Sequence, residues 1–239
     1  YSRLWMRVRD TKRSGMMPVY KRAVEMAEGA AILANVEYKV SLISGIYEVL
    51  VNRSGGEIMQ NNLELLGPIT YTNDEISFGK KIQEVTGKEQ LGMDSKINPL
   101  EETREHPGGG STDVGDVSWN VANINLGVTT APKDTPWHSW AVVACGGMSI
   151  GHKGMIYASK AMSMTMLDLF ENPKLVTKVK DEYKKRKGDA VYKAIVPDGP
   201  PPIPNKLEIT PAKKLTAAAK TIIKFFKLYG FSEIFLLMK

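Results

Sequence analysis

Ser2-Arg-Leu-Trp-Met-Arg-Val-Arg9 alternates residue by residue, with Leu4, Met6 and Val8 on one side and Trp5, Arg7 and Arg9 on the other. Successive side chains of an extended chain point to opposite faces, so this pattern predicts a strand with one face buried. Next comes a turn at Ser14-Gly15. Pro18 suits the first turn of a helix in which Val19, Ala23, Val24, Ala27, Ala30 and Ala31 recur at helical spacing. A second strand is expected over residues 36–51, broken near Ser44-Gly45. Two strands and a helix are too few for an independent domain, so further pairing partners are implied.

Asn52-Arg-Ser-Gly-Gly56 reads as a boundary. Beyond it, residues 57–66 and 74–86 are expected as helices, the second with Asn73 as N-cap and Gly87 as stop. Residues 88–107 read as a polar surface loop, and residues 116–128 as a strand. Gly151-His-Lys-Gly154 opens a helix over 155–170 whose Met155, Ala158, Met162, Thr165, Met166 and Leu169 form a core-filling stripe. Asn172-Pro173 ends it and starts another helix, 174–187, rich in exposed charge. The run Pro197-Asp-Gly-Pro-Pro-Pro-Ile-Pro204 predicts an extended strap. The fold class expected is α/β, with helices packed on a mixed sheet.

Charged residues make up 24% and hydrophobic ones 43% of the 239 residues, an ordinary globular balance with material for one large or two modest domains. The single cysteine, Cys145, excludes an internal disulfide, reads as a small buried residue and points to a reducing, cytoplasmic setting. No apolar run is long enough to span a bilayer. The net charge of +6 is unevenly placed, because six lysines against Glu233 put +5 of it in residues 211–239. A nearly neutral body has no broad footprint for phosphates, so nucleic acid is not an expected partner. The tail, with Leu215, Ala218, Ile222, Phe225 and Phe226 opposed by lysines, is a basic amphipathic helix in pattern. It suits docking on the protein's own body better than membrane contact.

The chemistry-bearing residues centre on Gly108-Gly-Gly-Ser-Thr-Asp-Val-Gly-Asp-Val-Ser-Trp119, where three glycines permit close backbone approach to a ligand and Asp113 and Asp116 add carboxylates. Of the three histidines, His138 ranks first, because a proline turn and two tryptophans, Trp137 and Trp140, can shelter its imidazole. His152 and His106 follow. An imidazole with an acid nearby is the usual recipe for a zinc ligand and its hydrogen-bonded support. Glu101-Glu102 sits in a crowded charged loop and reads as solvated. No Gly-x-Ser-x-Gly elbow, Walker loop or dinucleotide fingerprint is present, which argues against serine-nucleophile and nucleotide-driven chemistry.

Taken in order, the glycine-acid stretch, then Thr135-Pro-Trp-His-Ser-Trp140, Gly151-His-Lys-Gly-Met155 and Ala158-Ser-Lys160 resemble the C-terminal half of the dinuclear zinc aminoacylase and carboxypeptidase family of amidohydrolases. The aminobenzoyl-glutamate hydrolase branch is nearest in pattern. The resemblance runs from the first strand to about Pro202 and leaves the basic tail unexplained. It implies part of a small α+β, ferredoxin-like lid that mediates homodimerisation over residues 1–50. The C-terminal part of a catalytic domain would follow over 51–205, and the tail over 206–239.

The resemblance assigns His138 to a zinc, or another divalent metal such as manganese. It assigns Gly109, Gly110 and Thr112 to the substrate pocket, with Asp113 and Asp116 supporting the ligands from behind. The arginine ending the lid strand, which grips the substrate's carboxylate, maps to Arg9. A guanidinium fork suits a carboxylate. The implied substrate is a small molecule with a free carboxylate, an N-acyl amino acid or dipeptide-like amide such as aminobenzoyl-glutamate.

The family's other metal ligands and its base glutamate precede the lid, so none of the family's catalytic groups is assigned within this sequence. The chain is accordingly expected to be a truncated form, incomplete and inactive by itself. A non-catalytic module that dimerises or binds a partner or membrane is the alternative. The imidazole of His138 is expected to face the acidic turn.

Overall fold

The computed structural model describes residues 2–102 and 110–200. Seven helices carry the described residues: α1 (Arg13–Ala34), α2 (Arg53–Leu66), α3 (Asn73–Val85), α4 (Val114–Ser118), α5 (Trp140–Gly146), α6 (Ser149–Glu171) and α7 (Pro173–Lys187). Among the described residues there is no strand, only one isolated antiparallel bridge between Gly45 and Ile195. The expected α/β class, with its mixed sheet and ferredoxin-like lid, is therefore overturned, and the architecture is helical.

The physical reason lies in what alternation can and cannot encode. It selects a face, but a strand exists only when a neighbour takes up its backbone hydrogen bonds. Residues 2–10 are irregular, with Leu4 82% and Trp5 72% exposed, and residues 36–44 follow the same course. The reading of 116–128 as a strand fails differently. Its first residues complete α4, and the rest forms a turn and then irregular chain, with Ile124 against the Cα of Gly55 in α2.

Two compact units divide the chain. Of the described residues, the first takes in 2–49, 110–121 and 191–200. Its α1 starts five residues before Pro18, leaving the proline inside the helix rather than in the first turn. The start is set by acids instead: Lys12 N–H donates to Asp10 Oδ1 at 3.1 Å and Arg13 N–H to Glu48 Oε2 at 3.0 Å. These satisfy donors that a helix N-terminus leaves open.

Of the described residues, the second unit comprises 50–102 and 122–190. Here α6 packs on α2, α5 and α7. Its core gathers Ile82, Ala141, Cys145 and Ile150, with Tyr71, Phe78 and Met93 against them. The fully buried residues of α6 are Ile150, Gly151, Gly154, Ala161 and Thr165; of the expected stripe Thr165 is buried, Ala158, Met162, Met166 and Leu169 are half-buried, and Met155 is exposed. Small residues let the helix approach closely: a methyl group at Gly154 would lie 2.7 Å from Thr130 Cγ2 and 2.8 Å from the Thr129 carbonyl oxygen. Asn52 is the N-cap of α2, its side chain accepting from Gly55 N–H and donating to Val179 O, both at 2.8 Å. Thr72, not Asn73, caps α3.

Candidate functional site

His138 lies in the second unit, on a turn closed by its own side chains. Thr135 is buried and donates its hydroxyl to Pro132 O at 2.6 Å, and Ser139 donates to Pro136 O. Between these anchors His138 has φ 61°, a left-handed conformation uncommon for a non-glycine residue. Its ring is exposed just before the N-cap of α5, and the flanking Trp137 and Trp140 are 71% and 59% exposed. The tryptophans therefore do not bury the imidazole as expected. The turn presents it outward, in a backbone geometry that the surrounding hydrogen bonds must hold against its cost.

The glycine-acid stretch lies in the first unit. Gly109 falls outside the described residues, as does His106. Gly110 is exposed, and Thr112 is half-buried with its hydroxyl accepting from Val114 N–H at 3.3 Å. Asp113 leads into α4 without a side-chain bond to its N-terminus. Asp116 is engaged, its Oδ1 accepting the Tyr192 hydroxyl at 3.0 Å. Burial, and then this bond and the negative charge of Asp116, push the Tyr192 phenol upward, which keeps it a neutral donor. Arg9 is exposed and forms no ion pair with a described residue. The structure thus brings Thr112, Asp113 and Asp116 together around α4. His138 belongs to the other unit.

Two clusters escaped the sequence reading. In the first unit, the ring of Tyr47 stands 5.7 Å from that of Trp119 and 5.0 Å from that of Tyr192, with the Arg13 guanidinium 4.8 Å over it. In the second, the buried Glu75 receives Ser149 Oγ at 2.6 Å, Lys153 Nζ at 2.6 Å and Thr72 N–H at 2.7 Å. Burial alone would raise this carboxyl, but the bonds from Lys153, Ser149 and Thr72, with the lysine's charge, hold it down at about 2. The sequence carried one signal for it, the capping box Thr72-x-x-Glu75. Lys153 of the Gly-His-Lys-Gly motif is thereby a structural cation, bonded also to Thr70 O at 2.9 Å. Glu182 plays a similar part at the start of α2: burial raises it, but bonds from Ser54, Arg53 and Arg186 outweigh this and bring it to about 2.

A metal needs several donors at one point. Among the described residues no three His, Cys, Asp or Glu side chains come together to hold an ion, so the described part of the chain does not form a complete metal centre. Glu102 of the acidic pair is exposed and bound to Arg53 at 3.1 Å. No helix among the described residues is long and apolar enough to cross a membrane.

In comparisons with known proteins, the chain is similar to a subunit of the p-aminobenzoyl-glutamate hydrolase of Escherichia coli (strain K12), with 26% identity over 224 residues, 83% of this chain. This similarity supports a relation to the amidohydrolases. The chain spans 46% of that relative's length. No family model matches the chain, and no solved structure matches it.

Proposed function

We propose, with that kinship as the premise, that the chain serves the hydrolysis of an amide bond beside a free carboxylate, in substrates of the aminobenzoyl-glutamate or dipeptide type. The observation that carries the proposal is the similarity to a hydrolase along most of the chain. The geometry supplies supporting parts. Arg9 is exposed and offers a guanidinium to the substrate's carboxylate, while Gly110 and Thr112 offer a backbone surface and a hydroxyl. His138, held outward in a strained turn, is proposed as one donor to zinc or another divalent ion, the other donors lying outside the described residues. Such an ion would polarise the amide carbonyl and acidify a bound water. The described residues supply one donor and no complete set, so the chemistry assigned to them stops at binding and orientation.

The test is binding of p-aminobenzoyl-glutamate by the purified chain with added zinc or manganese, with release of p-aminobenzoate followed alongside, together with zinc titration of wild type and His138→Ala. Wild type should bind p-aminobenzoyl-glutamate without releasing p-aminobenzoate, since its described residues supply one metal donor and no complete set. The variant should bind zinc at least ten-fold more weakly, about 1.4 kcal/mol. Equal zinc binding by both chains would remove His138 as a ligand, and a chain that does not bind p-aminobenzoyl-glutamate would remove the substrate reading.

A further inference from the structure

We infer that Tyr192 is a positioning residue for the substrate-contacting loop that leads into α4, an inference that rests on the proposed role of Gly110 and Thr112. The chain from 110 to 113 has no regular structure of its own and runs straight into α4, which anchors it. Helix α4 has only five residues, too few to persist in water unaided. It is held by two segments of the first unit.

One is the segment of Tyr47 and Glu48. The Cα of Gly115 lies against the Tyr47 carbonyl, and the Trp119 indole N–H donates to Glu48 O at 2.8 Å. The other is the segment after α7, where Tyr192 reaches Asp116. Those two segments are themselves joined. The Tyr47 hydroxyl donates to Lys193 O at 2.9 Å and accepts from Lys193 N–H at 3.2 Å, and Gly45 bridges to Ile195. The Tyr192 hydroxyl thus ties the later segment directly to α4. It fixes the helix whose first turn continues directly from Thr112 and Asp113. The aromatic ring stacks on Tyr47 whether or not the hydroxyl is present, so the bond can be removed with the packing left in place.

The experiment compares Tyr192→Phe, Asp116→Ala, Asp116→Asn and the double variant Tyr192→Phe/Asp116→Ala in the full chain. Two readouts are taken: backbone amide exchange over residues 110–118, and the Kd for p-aminobenzoyl-glutamate. Tyr192→Phe should speed exchange in that segment about five- to ten-fold and raise Kd about five-fold, as expected for one lost hydrogen bond. Asp116→Ala should match it and the double variant should be no worse, because both delete the same bond. Asp116→Asn keeps an acceptor and should return amide exchange over residues 110–118 to the wild-type rate.

Unchanged exchange in Tyr192→Phe overturns the clamp. Faster exchange with unchanged Kd overturns its positioning role. A wild-type chain that does not bind p-aminobenzoyl-glutamate removes the loop's substrate role, and the exchange data then still decide whether Tyr192 holds α4.

Discussion

Gly115→Ala is expected to destabilise the first unit by about 3 kcal/mol, near the upper end for overpacking at one site. Gly115 is buried in α4, and an added methyl group would overlap the carbonyl oxygen of Tyr47, with the backbone of Glu48 close behind. Both obstacles are main chain, so no rotamer change relieves them. Either α4 or the Tyr47 segment must move, which would strain the bonds at Trp119 and Tyr192 as well. Gly29 is the control. It lies in α1, and a methyl group there would meet nothing within 4 Å. Gly29→Ala should therefore be neutral or stabilising by up to about 1 kcal/mol. Denaturant unfolding followed by tryptophan fluorescence reads the difference. Trp119 dominates the change on unfolding, because Trp5, Trp137 and Trp140 are 72%, 71% and 59% exposed in the fold. A Gly115→Ala chain as stable as wild type would show that α4 is not held against Tyr47.

The second large effect is at Glu75. Its carboxyl sits at about 2 against an ordinary 4.5, and with the Lys153 side chain 34% exposed to screening solvent, ionised Glu75 stabilises the fold by about 1–2 kcal/mol. The folded value lies below the unfolded one. The contribution is therefore fully present above about pH 4.5 and is lost as pH falls toward about 2. Glu75→Gln should cost that amount at neutral pH, since it leaves the Lys153 ammonium without its counter-charge. The variant and wild type should converge near pH 2. Some acid sensitivity should remain in the variant, because Glu182 is held down to the same degree by Ser54, Arg53 and Arg186. Parallel stability curves for the two proteins between pH 5 and about pH 2 would contradict this account.

How much of the fold could be seen in advance depended on sequence distance. The helices at 57–66, 74–86 and 174–187 were legible because caps and apolar spacing are local, and the structure places α2, α3 and α7 over them within a few residues. Residues 2–9 and 36–51 misled because alternation states a preference for a face, whereas a partner strand must come from elsewhere in the chain. Helix α4 was hidden for the converse reason. Its stability comes from Glu48 and Tyr192, 71 and 76 residues away from the groups they bind. The start of α1 likewise depends on Glu48, 35 residues from Arg13.

At the site, the exposed loop residues and His138 were legible as chemistry-bearing types, but the exposure of Trp137 and Trp140 was not, since an aromatic pair beside a proline turn gives no sign of which way its rings face. Glu75 showed its capping pattern openly. What the pattern could not show were Ser149 and Lys153, 74 and 78 residues on, which turn a local cap into a tie between α3 and α6.

Cys145 has no exposed surface, and burial pushes its thiol above the ordinary value of 9.0. Since only the thiolate of an accessible cysteine is alkylated at a useful rate, the chain carries a chemical clock in its second unit. Labelling of native protein by iodoacetamide should proceed only as fast as α5 and α6 part, and its rate should rise in Glu75→Gln while staying at the wild-type value in Gly115→Ala.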